Sequence, residues 1–147
     1  MLIIYLDTSA LLKRYINEVG AEEIRQLLEE ADEIATGVIT RVETASAVAR
    51  LVISHSITDE DGERVWDEFS EDWEIITRLR VTPQLVERAA SLARQYCLRT
   101  YDAVHLAGAI SWQEGMNMPV MLATFDCSLW LVGQKSGLGM WPDGLIS

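Results

Sequence analysis

At 147 residues, with 49% hydrophobic and 24% charged side chains, the chain has the size and balance of one globular domain, 1–147, with a sizeable core. Its net charge of −11 argues against a broad basic nucleic-acid surface and leaves two uses for its acids beyond a solvated exterior: a basic partner or a bound cation. Cys97 and Cys127 match no metal spacing and read as free thiols of a reducing cytoplasm, while the apolar N-terminal run is too short for a signal peptide or a membrane span.

In chain order, residues 2–6 (LIIYL) predict a short buried strand that ends in Asp7. A short helix follows from Ala10 to Tyr15, and Gly20 breaks it. Residues 21–31 (AEEIRQLLEEA) predict an amphipathic helix with Ile24, Leu27 and Leu28 inward. Residues 33–39 predict a second strand. Thr40 then caps a helix over 41–54, with Val42, Ala45, Ala49 and Val52 as its inward stripe. Thr58 opens a helix that carries Trp66, Phe69 and Trp73 at core spacing, and residues 75–81 alternate as a strand or a helix end. Thr82–Pro83 is an N-cap followed by proline at the first helical position, with Leu85, Ala89, Leu92 and Tyr96 on one stripe behind it. A turn at 99–102 leads into a helix over 102–114 that Gly115 ends. Residues 119–125 (PVMLATF) predict another buried strand, and it too ends in an acid, Asp126. A helix and a Gly-rich tail follow. Strands alternating with helices predict a three-layer α/β/α sandwich with a mainly parallel central sheet.

Such sheets place ligand sites at the carboxyl ends of their strands. Asp7 and Asp126 sit at strand ends. Glu43 lies in the first turn of a helix among small, apolar neighbours, and Asp102 opens the apolar helix DAVHLAGAI. Each of the four acids alone reads equally well as a helix cap or a first-turn acid favoured by the helix dipole. Together they would meet at one edge of a parallel sheet. Two carboxylates about 5 Å apart repel by roughly 3 kcal/mol at an effective dielectric near 20. A site of this kind must hold protons or a cation, and an all-oxygen donor set suits Mg²⁺ or Mn²⁺. Ser9 and Thr124 are the hydroxyls placed to orient those carboxylates, or else to make local turn and cap bonds. No protein nucleophile stands out. His105, one turn after Asp102, reads first as a packed core histidine, and His55 as a surface residue near a helix end.

LDTSALLKRY, TRVETASAVAR, RTYDAVHLA and LATFD, taken together over residues 2–130, resemble a PIN-domain nuclease. Within that family the chain most resembles a VapC-type toxin of a toxin–antitoxin pair. The resemblance implies an endoribonuclease dependent on Mg²⁺ or Mn²⁺ that hydrolyses RNA phosphodiester bonds with activated water. It carries Asp7, Glu43, Asp102 and Asp126 over as an acidic quartet, with Asp7 and Asp102 the most direct ligands, and matches Ser9 and Thr124 to the small hydroxyl positions. It also implies a cognate antitoxin with a basic segment and a homodimer built on the middle helices, to which the free thiols add a cytoplasmic location and the short apolar N-terminus no membrane. The tail after Leu131 matches nothing and is assigned no role.

The acidic total is awkward for a protein that must grip RNA, so phosphate contacts fall to a few cations near the motifs. Lys13, Arg14, Arg41, Arg50 and Arg99 are the candidates, each with a surface or ion-paired role as its ordinary alternative. A phosphatase built on a strand-end Asp wants a second acid two residues on, and Ser9 stands there instead. The rival from another class is a PIN-like interaction or scaffold module without catalysis.

Overall fold

A computed structural model of the chain describes residues 1–145. In chain order it runs β1 (Ile3–Leu6), α1 (Thr8–Leu12), α2 (Ala21–Glu30), β2 (Glu33–Gly37), α3 (Thr40–Ile53) and α4 (Asp59–Trp73). The second half continues with β3 (Thr77–Leu79), α5 (Pro83–Tyr96), α6 (Thr100–Met116), β4 (Met121–Ala123), α7 (Cys127–Lys135) and β5 (Gly139–Trp141). The five strands form one sheet in the order β3-β2-β1-β4-β5, and every pairing is parallel.

β1 shows why the sheet is covered on both faces. Its four side chains are all buried, and they alternate. Ile3 and Tyr5 join a core with Ala103, Leu106, Leu122 and Leu129. Ile4 and Leu6 join a second core with Leu11, Ile24, Val65 and Phe69. A period of two, with both phases apolar, is what a central parallel strand requires. Each of these side chains contributes about 1.5–3 kcal/mol by leaving water. Helices α5, α6 and α7 supply the first core, and α1 to α4 the second, which makes three layers.

The chain runs outward from β1 to β2 and β3, then crosses back to lay β4 on the other side of β1. The crevice beyond the carboxyl ends of β1 and β4 is therefore the switch point of the sheet, where doubly wound folds keep their ligands.

Several sequence-based expectations change. Thr40 does not cap α3. Ile39 holds that position, and the Thr40 hydroxyl pairs with that of Thr36 at 2.7 Å. The inward stripe of α3 is Thr40, Thr44 and Val48, while Val42, Ala45 and Ala49 face outward. α6 starts two residues earlier than expected, with Arg99 as its N-cap and Asp102 inside its first turn, and it passes Gly115 to end at Met116. The Gly-rich tail holds the end of α7 and the fifth strand, β5. The caps at Thr58 and Thr82 form as expected, each hydroxyl accepting a backbone N–H three residues on. Trp66, Phe69 and Trp73 pack into the second core, and both cysteines are free thiols. Among the described residues no helix is long and apolar enough to cross a membrane.

Candidate active site

Asp7 ends β1 and is only 3% exposed. Its Oδ1 accepts the Ala10 N–H at 2.9 Å, which caps α1, and the Ser9 hydroxyl at 2.7 Å. Its Oδ2 accepts the Thr124 hydroxyl at 2.5 Å. Each hydroxyl also accepts in turn. Ser9 Oγ takes the Phe125 N–H at 3.1 Å, and Thr124 Oγ1 takes the Asp126 N–H at 3.0 Å. Two small hydroxyls thus tie the loop after β4 to the end of β1 through the carboxylate between them. Burial raises the Asp7 pKa, although the nearby His105 and the three donors oppose it.

Asp126 caps α7 with Oδ1, which accepts the Leu129 N–H at 2.9 Å. Its Oδ2 accepts from the Arg99 guanidinium at 3.0 Å. The same guanidinium lies 3.7 Å from Asp102. Burial, then the charges of Asp126 and Asp7, push the Asp102 carboxyl up to about 6 despite Arg99. Asp102 therefore carries the repulsion of both neighbouring acids, with the largely exposed Arg99 and then His105 against it.

Glu43 stands to one side of this group. Its Oε1 accepts from the Thr8 hydroxyl at 2.7 Å and lies 2.7 Å from His105 Nε2. A carboxylate only accepts, so Nε2 is assigned the hydrogen. Nδ1 is then free to accept from the Tyr5 hydroxyl, 2.9 Å away. Both Tyr5 and His105 are buried, and two glycines make room for them: a Cβ at Gly37 would stand 2.9 Å from Tyr5 Oη, and one at Gly108 3.2 Å from it. The Thr8 and His105 contacts hold Glu43 below the usual carboxylate range against the desolvation that opposes them.

The four acids thus reach one edge of the sheet, but they divide. Asp102 feels the charges of Asp126 and Asp7, whereas Glu43 is engaged by His105. Among the described residues no three acidic, histidine or cysteine side chains stand close enough together to hold a metal ion as they are. The donor set still fits a hard divalent ion. It is all carboxylate oxygen, two of the acids have raised pKa values, and the opposing arginine is exposed. His105 and Thr8, unassigned from sequence, prove to be the groups that hold Glu43. The signal for His105 was its place one turn after Asp102.

Most of the expected phosphate-binding cations have internal partners. Lys13 pairs with Glu18 at 3.1 Å and lies over the Phe125 ring. Arg14 pairs with Asp72 at 2.7 Å. Arg41 lies over the Trp66 ring at 4.6 Å and reaches Phe69 and Trp73 beyond it. Arg99 serves the acids themselves.

The family description for a PIN domain matches residues 4–126, and the chain belongs to the PIN-domain family. More particularly, it is similar to ribonuclease VapC45 and ribonuclease VapC49 of Mycobacterium tuberculosis. Each is 31% identical over 114 residues, which is 76% of this chain and 77% of the relative. Among solved structures, a chain of a toxin–antitoxin complex from Klebsiella pneumoniae superposes with a TM-score of 0.65. It is 17% identical, and the match spans 97% of this chain and 99% of the other. That likeness bears on the fold.

Proposed function

We propose that this chain is a divalent-metal-dependent endoribonuclease and the toxin of a toxin–antitoxin pair, acting as one domain over residues 1–147, as a homodimer, in the cytoplasm. The observation that carries the reading is the placement of Asp7, Asp102 and Asp126 at the switch point, where the charges of Asp126 and Asp7 resist the ionisation of Asp102. The two ribonuclease relatives support the reaction class, and the Klebsiella complex supports an antitoxin partner.

In this reading Asp7, Asp102 and Asp126 hold Mg²⁺ or Mn²⁺. The cation, when bound, acidifies water and offsets charge on the phosphate oxygens. The chain's own residues do the rest. Ser9 and Thr124 keep both Asp7 oxygens aimed by donating to them. Thr8 and His105 occupy Oε1 of Glu43, so Oε2 is the atom turned free to accept a proton from the attacking water. Arg99, carried on an exposed arm and paired with Asp126, would supply a positive charge to a phosphate held at these acids. A basic segment of the antitoxin would neutralise the same acids.

Calorimetric titration of Mn²⁺ into the partner-free protein, beside Asp102→Asn, tests the reading. Saturable binding lost in the variant, together with Mn²⁺-dependent cleavage of RNA, is the expected result. No heat of binding and no cleavage, with RNA present as well as absent, would leave an interaction module in its place.

A further inference from the structure

Beside Glu43 the surface opens into a groove of about 390 Å³, within the range of small-ligand clefts. Glu43, Ala47 and Arg50 line it from a single face of α3, and Thr8 and Tyr101, the latter in the first turn of α6, belong to the same lining. Val42 adds to the rim. Three features of this groove bear on what it could hold. Val42 is 72% exposed and Tyr101 56%, so two large apolar side chains stand in solvent beside the half-buried Glu43 and Asp102. Arg50 is exposed and, unlike Lys13, Arg14 and Arg99, has no acidic partner among the described residues. Thr8, the residue after Asp7, bonds Glu43 inside the groove, so the groove opens from the same sheet edge as the acids and a chain lying across them runs on into it.

We infer that this groove is a nucleoside subsite for the residue of the RNA next to the cleaved phosphate, with the base against Tyr101 and Val42 and the following phosphate at Arg50. The inference rests on the nuclease reading above and names how the substrate is gripped. An aromatic face accepts any base, provided the base is unpaired and its flat surface is bare. An arginine two helical turns from Glu43, about 10 Å along α3, meets a backbone phosphate rather than the reacting one. The groove therefore selects single-stranded RNA and is tolerant of sequence. It also explains how so acidic a protein holds a polyanion: the grip comes from stacking and the charge of Arg50, with no broad basic face.

The test is fluorescence anisotropy of a labelled, mixed-sequence, single-stranded oligoribonucleotide of about twelve nucleotides, within the usual single-strand site sizes. It is run on the full chain in Ca²⁺, with gels to confirm that the RNA stays intact. Tyr101→Ala should weaken binding by about tenfold and Tyr101→Phe by less than about twofold, because phenylalanine keeps the stacking face. Arg50→Gln should weaken binding and lower the salt slope by about one. Mn²⁺ affinity, measured by calorimetry, should be unchanged in all three. Tyr101→Ala binding RNA as the wild type does would overturn the subsite and leave the nuclease reading standing. So would light scattering that shows Tyr101→Ala breaking a wild-type dimer, because the groove would then seat a second copy. Wild-type protein that binds no RNA would overturn both.

Discussion

Replacing Asp102 by Asn should stabilise the metal-free protein at neutral pH. The folded carboxyl titrates at about 6 against an ordinary 3.8, because burial and the charges of Asp126 and Asp7 resist its ionisation. Between those two values the folded chain binds more protons than the unfolded chain. Stability is thus greatest below about 3.8 and falls as pH rises through about 6. At about 1.4 kcal/mol for each tenfold change in acidity, the full loss is about 3 kcal/mol. The side chain keeps 18% of its surface in water, so screening leaves about 1–2 kcal/mol. Asn has nearly the same shape and never ionises. In EDTA, Asp102→Asn should melt about 3–6 °C above the wild type at pH 7.5. The gap should close near pH 4, where the wild-type carboxyl is itself neutral. Adding Mn²⁺ should reverse the order by stabilising the wild type alone. Thermal and urea unfolding across this pH range make the measurement. A variant less stable than the wild type at pH 7.5 in EDTA, or a difference independent of pH, would refute the electrostatic account of the site.

Other substitutions probe the supports of the site. Thr124→Val removes the donor to Asp7 Oδ2 and the acceptor for the Asp126 N–H. Mn²⁺ affinity should fall about tenfold or more by calorimetry, and an unchanged affinity would dismiss Thr124 as an orienting group. Gly37→Ala drives a Cβ to 2.9 Å from Tyr5 Oη in the packed centre of the molecule. It should cost about 1–3 kcal/mol in urea unfolding. A midpoint equal to the wild type would show that the Tyr5–His105 contact yields freely. Arg41→Ala removes the cation from the Trp66 ring and should cost about 0.5–1 kcal/mol of stability. RNA affinity should stay within about twofold, and a larger loss would return Arg41 to the substrate face.

The core and the site differ in how far they could be read from residues alone. β1 was legible because Ile3, Ile4, Tyr5 and Leu6 are apolar in both phases and stop at a carboxylate. α2 was legible because Ile24, Leu27 and Leu28 form the one apolar stripe on an otherwise charged helix. α3 misled because it is apolar on two sides. Val42, Ala45 and Ala49 make a stripe as regular as the one that packs, and the buried stripe carries Thr40 and Thr44. Their hydroxyls disguise them: Thr40 finds Thr36, a partner on another element, while Thr44 finds none among the described residues. β5 escaped notice because three residues, one of them Gly139, carry too little pattern to mark a strand that exists only by pairing with β4.

Local chemistry, then, was determined by the sequence itself: acids at the ends of apolar strands, hydroxyls two residues to either side of them, Thr and Pro at helix starts. These are short-range facts, settled by neighbours within a few residues. The tertiary structure alone decided which of those groups meet. Glu43 and His105 lie 62 positions apart, and Thr124 and Asp7 lie 117 apart. They touch because β4 crosses back beside β1 and α6 packs over the same sheet. The same packing took Arg41 out of the solvent and left Arg50 in it. Two arginines nine residues apart on one helix cannot be told apart by sequence, because what separates them is the ring of Trp66, brought in from another helix.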